Sequence, residues 1–183
     1  MQQVHENSIN HGWWESKPSP QHFLCLVVCE LAEAVEAARI NKRANVERFE
    51  HLMNWKDTYM AEADGADLYS RYFEECIKDS VEDELADAYI RLLDLAGGIG
   101  LRWRKPKSRE GCSMVRKHAT FTENIYEIMS NATSTWLNEE ETIIETAAEI
   151  EILAFYMDID LKKHIEMKMR YNINREYKHG KAF

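Results

Sequence analysis

The stretch that decides the fold is QHFLCLVVCELAEAVEAARINK, which runs from Gln21 to Lys42. Apolar residues recur in it every three or four positions, the spacing that places them on one face of a helix. This broad face consists of Phe23, Leu24, Val27, Leu31, Ala34, Val35 and Ala38. Because Pro18 and Pro20 precede the pattern, we predict an irregular arm over 1–19 followed by a helix that ends near Asn41.

Outward from this helix, the same periodicity predicts an all-α chain. A more polar stretch with helical spacing covers 46–60, and DGAD (64–67) is predicted to be a turn. We expect further helices over 68–96, 121–137, 139–156 and from a cap at Asp158 or Asp160 to about Arg175. Gly97 and Gly98 are expected to end the long helix in left-handed conformations.

These elements predict one domain over 1–183, a helical bundle of five or six helices. A basic loop is expected at 97–119 and a polar tail at 176–183. The loop's positive charges are Arg102, Arg104, Lys105, Lys107 and Arg109.

Composition excludes several classes of protein. The chain carries a net charge of −9, which argues against non-specific binding to a nucleic acid polymer. No segment approaches the roughly 18 uninterrupted apolar residues of a membrane span, and the N-terminus lacks the pattern of a signal peptide. We therefore expect a cytoplasmic protein. Cys25 and Cys29 lie in the apolar run, which favours buried, reduced thiols over a metal site with His22.

Two acidic pairs are the candidate catalytic residues. ELAE places Glu30 and Glu33 on one helical face, and ELAD does the same for Glu84 and Asp87. A carboxylate beside a packing stripe loses hydration and needs a cation or hydrogen-bond donors. Two such pairs facing each other across a bundle would offer four oxygen ligands, which suit Mg²⁺ or, alternatively, Mn²⁺.

Each of these features also has an ordinary structural interpretation. Acidic pairs three residues apart are common on solvated helices in an acidic chain. A di-iron bundle is excluded, because its motif pairs Glu with His three residues on and only Glu176 and His179 match. Near the C-terminus, Lys168, Asn172 and Arg175 form a polar stripe suited to phosphate or sugar, or to a favourable interaction with the helix dipole.

The motifs together resemble the MazG-like, all-α NTP pyrophosphatase superfamily, which includes dimeric dUTPases and dCTP pyrophosphatases. The resemblance lies in GWW, LVVCELAEAVEAARINK, EDELADAYIRLLDLAGGIG and MDIDLKKHIEMKMRYNINREYKHGKAF, which cover over half of the chain. That superfamily has an E-x-x-E helix, an E-x-x-D helix and a K-x-x-x-N element in this order. The chain departs from the pattern in the wide separation of the acidic motifs, caused by the insertion at 40–75.

The resemblance implies Mg²⁺-dependent cleavage of a nucleoside or deoxynucleoside triphosphate to the monophosphate and pyrophosphate. It implies metal binding by Glu30, Glu33, Glu84 and Asp87, and substrate contacts by Lys168, Asn172 and Arg175. Trp14, with Trp13, either stacks on a base or packs against the bundle. Alternatives are an enzyme specific for the pyrimidine substrates dCTP or dUTP, and a non-catalytic helical module that binds nucleotide or partner helices. A homodimer or homotetramer is expected.

Overall fold

The computed structural model describes residues 1–59, 65–104, 114–134, 136–173 and 175–180, and for 56–59, 65–67, 179 and 180 the backbone alone. Within these ranges the chain is helical and has no strand, which confirms the all-α prediction. The described residues form eight α-helices rather than five or six. They are α1 (Gln2–Asn10), α2 (Pro20–Arg39), α3 (Val46–Tyr59), α4 (Gly65–Cys76), α5 (Val81–Gly98), α6 (Phe121–Ala132), α7 (Glu139–Tyr156) and α8 (Leu161–Ile173).

The bundle is built around the pair α2 and α5, which pack against each other more extensively than any other described helices. Four other helices surround this pair: α1 and α8 pack on α5, α6 packs on α2, and α7 packs on α5 and α6. Their apolar faces form the main core, which includes Val27, Leu31, Leu85 and Leu92. A smaller core joins α3, α4 and α8 around Phe73. Both candidate acidic motifs therefore lie on the two central helices.

The long helix predicted over 68–96 is wrong, because the chain breaks between α4 and α5. Asp79 adopts φ +56°, a left-handed conformation that ends helical geometry. The Ser80 hydroxyl then caps α5 by accepting from the backbone N–H of Asp83. The Asp83 carboxylate in turn accepts from the Asp79 N–H at 2.9 Å. This break starts α5 one turn before Glu84, where the positive end of the helix dipole favours carboxylates.

The predicted irregular arm at 1–19 is also wrong in part, since α1 occupies Gln2–Asn10. The buried residues of α1 are Val4 and Ser8, which lie one turn apart. The helix therefore contacts α5 along a narrow strip and has no broad apolar face. Short helices draw their stability from such packing more than from intrinsic propensity. The sequence pattern therefore carried little signal for this helix.

Gly97 and Gly98 do not take the predicted left-handed conformations; they lie within α5, and Gly100 adopts φ +68° instead. Their lack of a side chain has another use. A Cβ on Gly97 would lie 2.5 Å from the Cβ of His5, and one on Gly98 would overlap the indole of Trp14. The two glycines thus let α1 and the following tryptophan approach α5 closely.

Other boundaries differ less. Helix α6 ends at Ala132 instead of near residue 137, and the polar tail contains a short 3₁₀ turn at Tyr177–Gly180. Gly65–Asp67 of the predicted turn belong to α4, whereas residues 105–113 of the predicted basic loop lie outside the described residues. Asp160 caps α8 as predicted, accepting from the backbone N–H of Lys163. No helix in the described ranges is long and apolar enough to cross a membrane.

Candidate metal centre

Three of the four predicted carboxylates converge between α2 and α5. Oxygens of Glu30, Glu84 and Asp87 all lie within 4.8 Å of one another. Glu30 and Glu84 are only 6% and 4% exposed, and Asp87 is half-buried. Because like charges this close repel and have lost most of their hydration, the arrangement favours a bound cation.

Glu33 is placed differently. It is exposed on α2 and is not one of the three converging carboxylates. Its charge is nevertheless close enough to contribute to the raised pKa of Glu30, after the larger effects of burial and Asp87. Glu33 therefore stands at the solvent side of the cluster.

Asp83 joins the cluster although the motif did not include it. It is 1% exposed, and its carboxylate groups with those of Asp79 and Glu84. Burial raises the pKa of Asp83 to about 6, against the opposing effect of the Lys168 ammonium. The sequence signal was weak, because Asp83 lies in the acidic run VEDELAD, where solvated carboxylates are the ordinary expectation.

Two cationic side chains pair with the cluster. Arg91 donates from Nε to Oε1 of Glu30 at 2.8 Å. The Nζ of Lys168 lies 2.7 Å from Asp87 and 2.9 Å from Asp83. Burial alone would lower the pKa of Lys168, but the charges of Asp87 and Asp83 outweigh it and raise that pKa. Arg91 was not predicted as a site residue. Its position on the same face of α5 as Glu84 and Asp87 was the feature of the sequence that could have indicated it.

The ion pairs leave the cluster with excess negative charge. Glu30, Asp83, Glu84 and Asp87 carry four carboxylates, and in the described part of the chain only Arg91 and Lys168 form ion pairs with them. Burial and the charges of Asp87 and Asp83 raise the pKa of Glu84 to about 9. With all four carboxylates ionised, the uncompensated charge equals that of one divalent cation, and the donors are the hard oxygens that Mg²⁺ prefers.

The C-terminal stripe does not lie wholly on the surface. Lys168 and Asn172 are buried on α8, facing α5, while Arg175 lies beyond the end of that helix. The Nη1 of Arg175 is 3.5 Å from Oδ1 of Asn172, and its guanidinium lies over the Tyr171 ring. The three residues therefore lie together. At the buried end of the group, Lys168 forms ion pairs with the acidic cluster.

Trp14 packs against the bundle. Its ring stacks on Phe23 at 4.5 Å between centroids, and its Nε1–H donates to Asp94 at 2.9 Å. Asp94 also accepts from the Ser8 hydroxyl at 2.6 Å and contacts the His5 ring nitrogen at 2.8 Å. Asp94 therefore fastens the N-terminal segment to α5, on the helical face that carries Asp87.

A small cavity of about 60 Å³ lies between that segment and the acidic cluster. Its lining includes Asn7, Trp13, Asp87, Arg91 and Asn172. It thus connects a cluster carboxylate with the C-terminal stripe.

Comparison with known proteins adds no relative: no family model, no curated protein and no solved structure matches this chain.

Proposed function

We propose that the protein is a Mg²⁺-dependent hydrolase that cleaves a nucleoside or deoxynucleoside triphosphate to the monophosphate and pyrophosphate. The observation that carries the proposal is the buried convergence of Glu30, Glu84 and Asp87. These carboxylates would repel a triphosphate unless a divalent cation neutralised them, so substrate and metal belong to the same site. The resemblance of the motifs to all-α NTP pyrophosphatases supplies the reaction type.

Glu30, Glu84 and Asp87 would hold the metal, and Glu33, one turn from Glu30 and exposed, would complete the set from the solvent side. Mg²⁺ supplies charge neutralisation on the phosphate oxygens and lowers the pKa of a bound water. A cluster carboxylate orients the attacking water and accepts its proton. Attack at the α-phosphate breaks the bond to the bridging oxygen, and pyrophosphate leaves with that oxygen.

Lys168 has two roles in this proposal. In the structure its ammonium holds Asp83 and Asp87. With a cation held by Asp87, Lys168 would keep its ion pair with Asp83 and would offer an N–H to a phosphate oxygen. Asn172, one turn further along α8, and Arg175, just beyond the end of that helix, extend this contact towards the phosphates or the sugar. Trp14 contributes by fixing the N-terminal segment beside the site, where Trp13 borders the cavity.

The direct test is a pyrophosphate-release assay over the four NTPs and four dNTPs with Mg²⁺. We expect release from at least one substrate, and its loss when EDTA removes the metal. Release from dCTP or dUTP alone would identify the pyrimidine-specific alternative. Nucleotide binding without release from any of the eight would show a non-catalytic module and contradict the proposal.

We also predict a homodimer, with a homotetramer as the larger alternative. Large aromatic side chains stand exposed around α6 and α7: Trp136, Phe155 and Tyr126 are 94%, 79% and 70% exposed. Burying such rings between copies removes apolar surface from water. Light scattering at micromolar concentration should give a mass at least twice the chain mass of 21.5 kDa. Trp136→Ser should lower the measured mass. A wild-type protein that scatters as a single chain would contradict this.

A further inference from the structure

A cavity of about 920 Å³ lies between α2 and the segment that joins α6 to α7. Its apolar lining contains Leu24, Val28, Ala132 and Leu137. Cys25 also lines it and is exposed, as is Cys29 on the next turn of α2, which overturns the sequence-based expectation of buried thiols. Glu30 and Glu33 are not among the described lining residues, so the cavity is separate from the candidate metal centre.

A large aromatic ring stands in solvent beside this cavity. Trp136 is 94% exposed, although Ser134 and Leu137 on either side of it line the cavity. The backbone N–H of Trp136 donates to the Ser134 hydroxyl at 3.2 Å. Asn138 then caps α7 by accepting from the backbone N–H of Glu141 at 2.9 Å. The backbone is thus held on both sides of Trp136, and the ring is not among the described groups that line the cavity.

The ring and the cavity lie next to each other on one surface, which is the arrangement that a two-fold interface requires. In such an interface each copy offers the same patch, so a group of one copy meets its complement on the other. The cavity also suits an indole chemically. Its wall is apolar at Leu24 and Val28, and the exposed carboxylates of Glu139 and Glu140 offer acceptors for the indole N–H. A small molecule would fill the cavity and leave the ring in water, whereas a second copy covers both.

The size of the contact is that of a stable interface centre. Cavities of roughly 300–1,000 Å³ hold drug-sized molecules, so this one takes a tryptophan side chain and the residues that flank it. Each buried ring removes about 150–250 Å² from water, and the wall that receives it loses a similar area. Two contacts related by the two-fold axis bury roughly 600–1,000 Å², at least half of the roughly 1,200 Å² at which stable interfaces begin.

We propose that two copies of the chain form a two-fold dimer in which the Trp136 ring of each fills the cavity of the other, against Leu24, Cys25 and Val28. This inference rests on the homodimer predicted above and names its central contact. It does not depend on hydrolysis, because neither the ring nor the cavity belongs to the candidate metal centre.

The first test follows the alkylation of Cys25 by iodoacetamide in the reduced full chain over a dilution series. Tandem mass spectrometry of the peptide that contains Cys25 and Cys29 measures both thiols in one sample, and light scattering gives the mass. We expect the rate at Cys25 to fall with the monomeric fraction as concentration rises, because the partner's Trp136 covers that thiol. The rate at Cys29 should not change, since Cys29 is exposed and is not among the described lining residues.

The second test separates the ring from the cavity. Trp136→Ser removes the ring, and Cys25→Glu places a charge in the apolar cavity; both positions are exposed, so the fold is retained. Each variant loses both contacts of its homodimer. Losing an aromatic anchor costs about thirtyfold per contact, so self-association should weaken on the order of a thousandfold. An equal mixture of the two variants should lose only about thirtyfold, because the heterodimer keeps one intact ring and one intact cavity that meet.

Trp55→Ser is the matched control. Trp55 is 48% exposed on α3, which contributes no described residue to the cavity lining, so this variant should keep the mass and the Cys25 protection of the wild type. A dimer in which Cys25 reacts at the monomer rate would show that the copies meet through another face; it would overturn this inference and leave the predicted homodimer standing. Protection of Cys25 at every concentration, or a mixture that associates no better than its components, would also overturn it.

Discussion

Glu84→Gln is expected to abolish hydrolysis almost completely and, at the same time, to stabilise the metal-free protein. The loss of activity follows because an amide does not replace a carboxylate ligand of Mg²⁺ at comparable affinity. The gain in stability follows from the surroundings of Glu84. Burial and the charges of Asp87 and Asp83 raise its pKa from 4.5 to about 9, so the folded protein holds a carboxylate that resists ionisation.

The sign of the effect is fixed by proton linkage. Between pH 4.5 and about 9, the folded state binds more protons at Glu84 than the unfolded state. The free energy of unfolding of the wild type therefore falls as pH rises through this window, and below it the contribution disappears. At pH 8 we expect Glu84→Gln to raise that free energy by roughly 2–3 kcal/mol, the buried amide offsetting part of the gain. At pH 5 the difference should nearly vanish.

Urea unfolding at pH 5 and pH 8, with and without Mg²⁺, measures both effects. Mg²⁺ should stabilise the wild type, by about 2.7 kcal/mol at a hundred times its dissociation constant, and should scarcely stabilise the variant. Glu33→Gln is the matched comparison, since Glu33 is exposed. It should lower hydrolysis severely and leave stability nearly unchanged. If the Glu84→Gln protein turns over substrate as fast as the wild type, Glu84 is not a ligand of the metal.

Helices with a wide apolar face could be predicted from the sequence, because their periodicity records how they pack. That is true of α2, α7 and most of α5. Helix α1 was not predicted because it packs through only two buried residues. Its hydrogen bonds to Asp94 come from polar groups that are distant from Asp94 in the sequence. The helix break before Val81 was not predicted, because the helical spacing of apolar residues continues across it. The left-handed turn at Asp79 and the cap at Ser80 mark the break in the structure.

The candidate site was predictable to the extent that it lies within single helices. Spacing alone placed Glu84 and Asp87 on one face of α5, and the structure brings Glu30 to them. The pairing of Lys168 with Asp83 depends on the register of α8 against α5, which no local pattern encodes. For the same reason, a stripe predicted as a single polar surface has a buried inner end at Lys168 and an outer end at Arg175.

Lys168→Met is expected to be strongly destabilising, in contrast to Glu84→Gln. The Lys168 side chain is 5% exposed and its Nζ bonds to Asp83 and Asp87, above the rings of Phe73 and Tyr171. Methionine keeps the length of the chain but leaves two carboxylates without their cation. Breaking a buried pair in this way costs about 3–5 kcal/mol, because the remaining charge is uncompensated. Urea unfolding should show most of that loss returning when Asp83→Asn is added.

The same variant separates the two roles proposed for Lys168. Because Lys168 and a metal ion compete for Asp87, Lys168→Met should bind Mn²⁺ more tightly than the wild type, not less. Losing a charge-assisted phosphate contact should still reduce hydrolysis about ten- to a hundredfold at saturating metal. Lys105→Ala, in the basic segment outside the described residues, is the control and should matter far less, since the sequence predicts an exposed loop there and salt screens exposed charges. If Lys105→Ala proves the more damaging to catalysis, the phosphates are held by that segment, and Lys168 serves only to position Asp83 and Asp87.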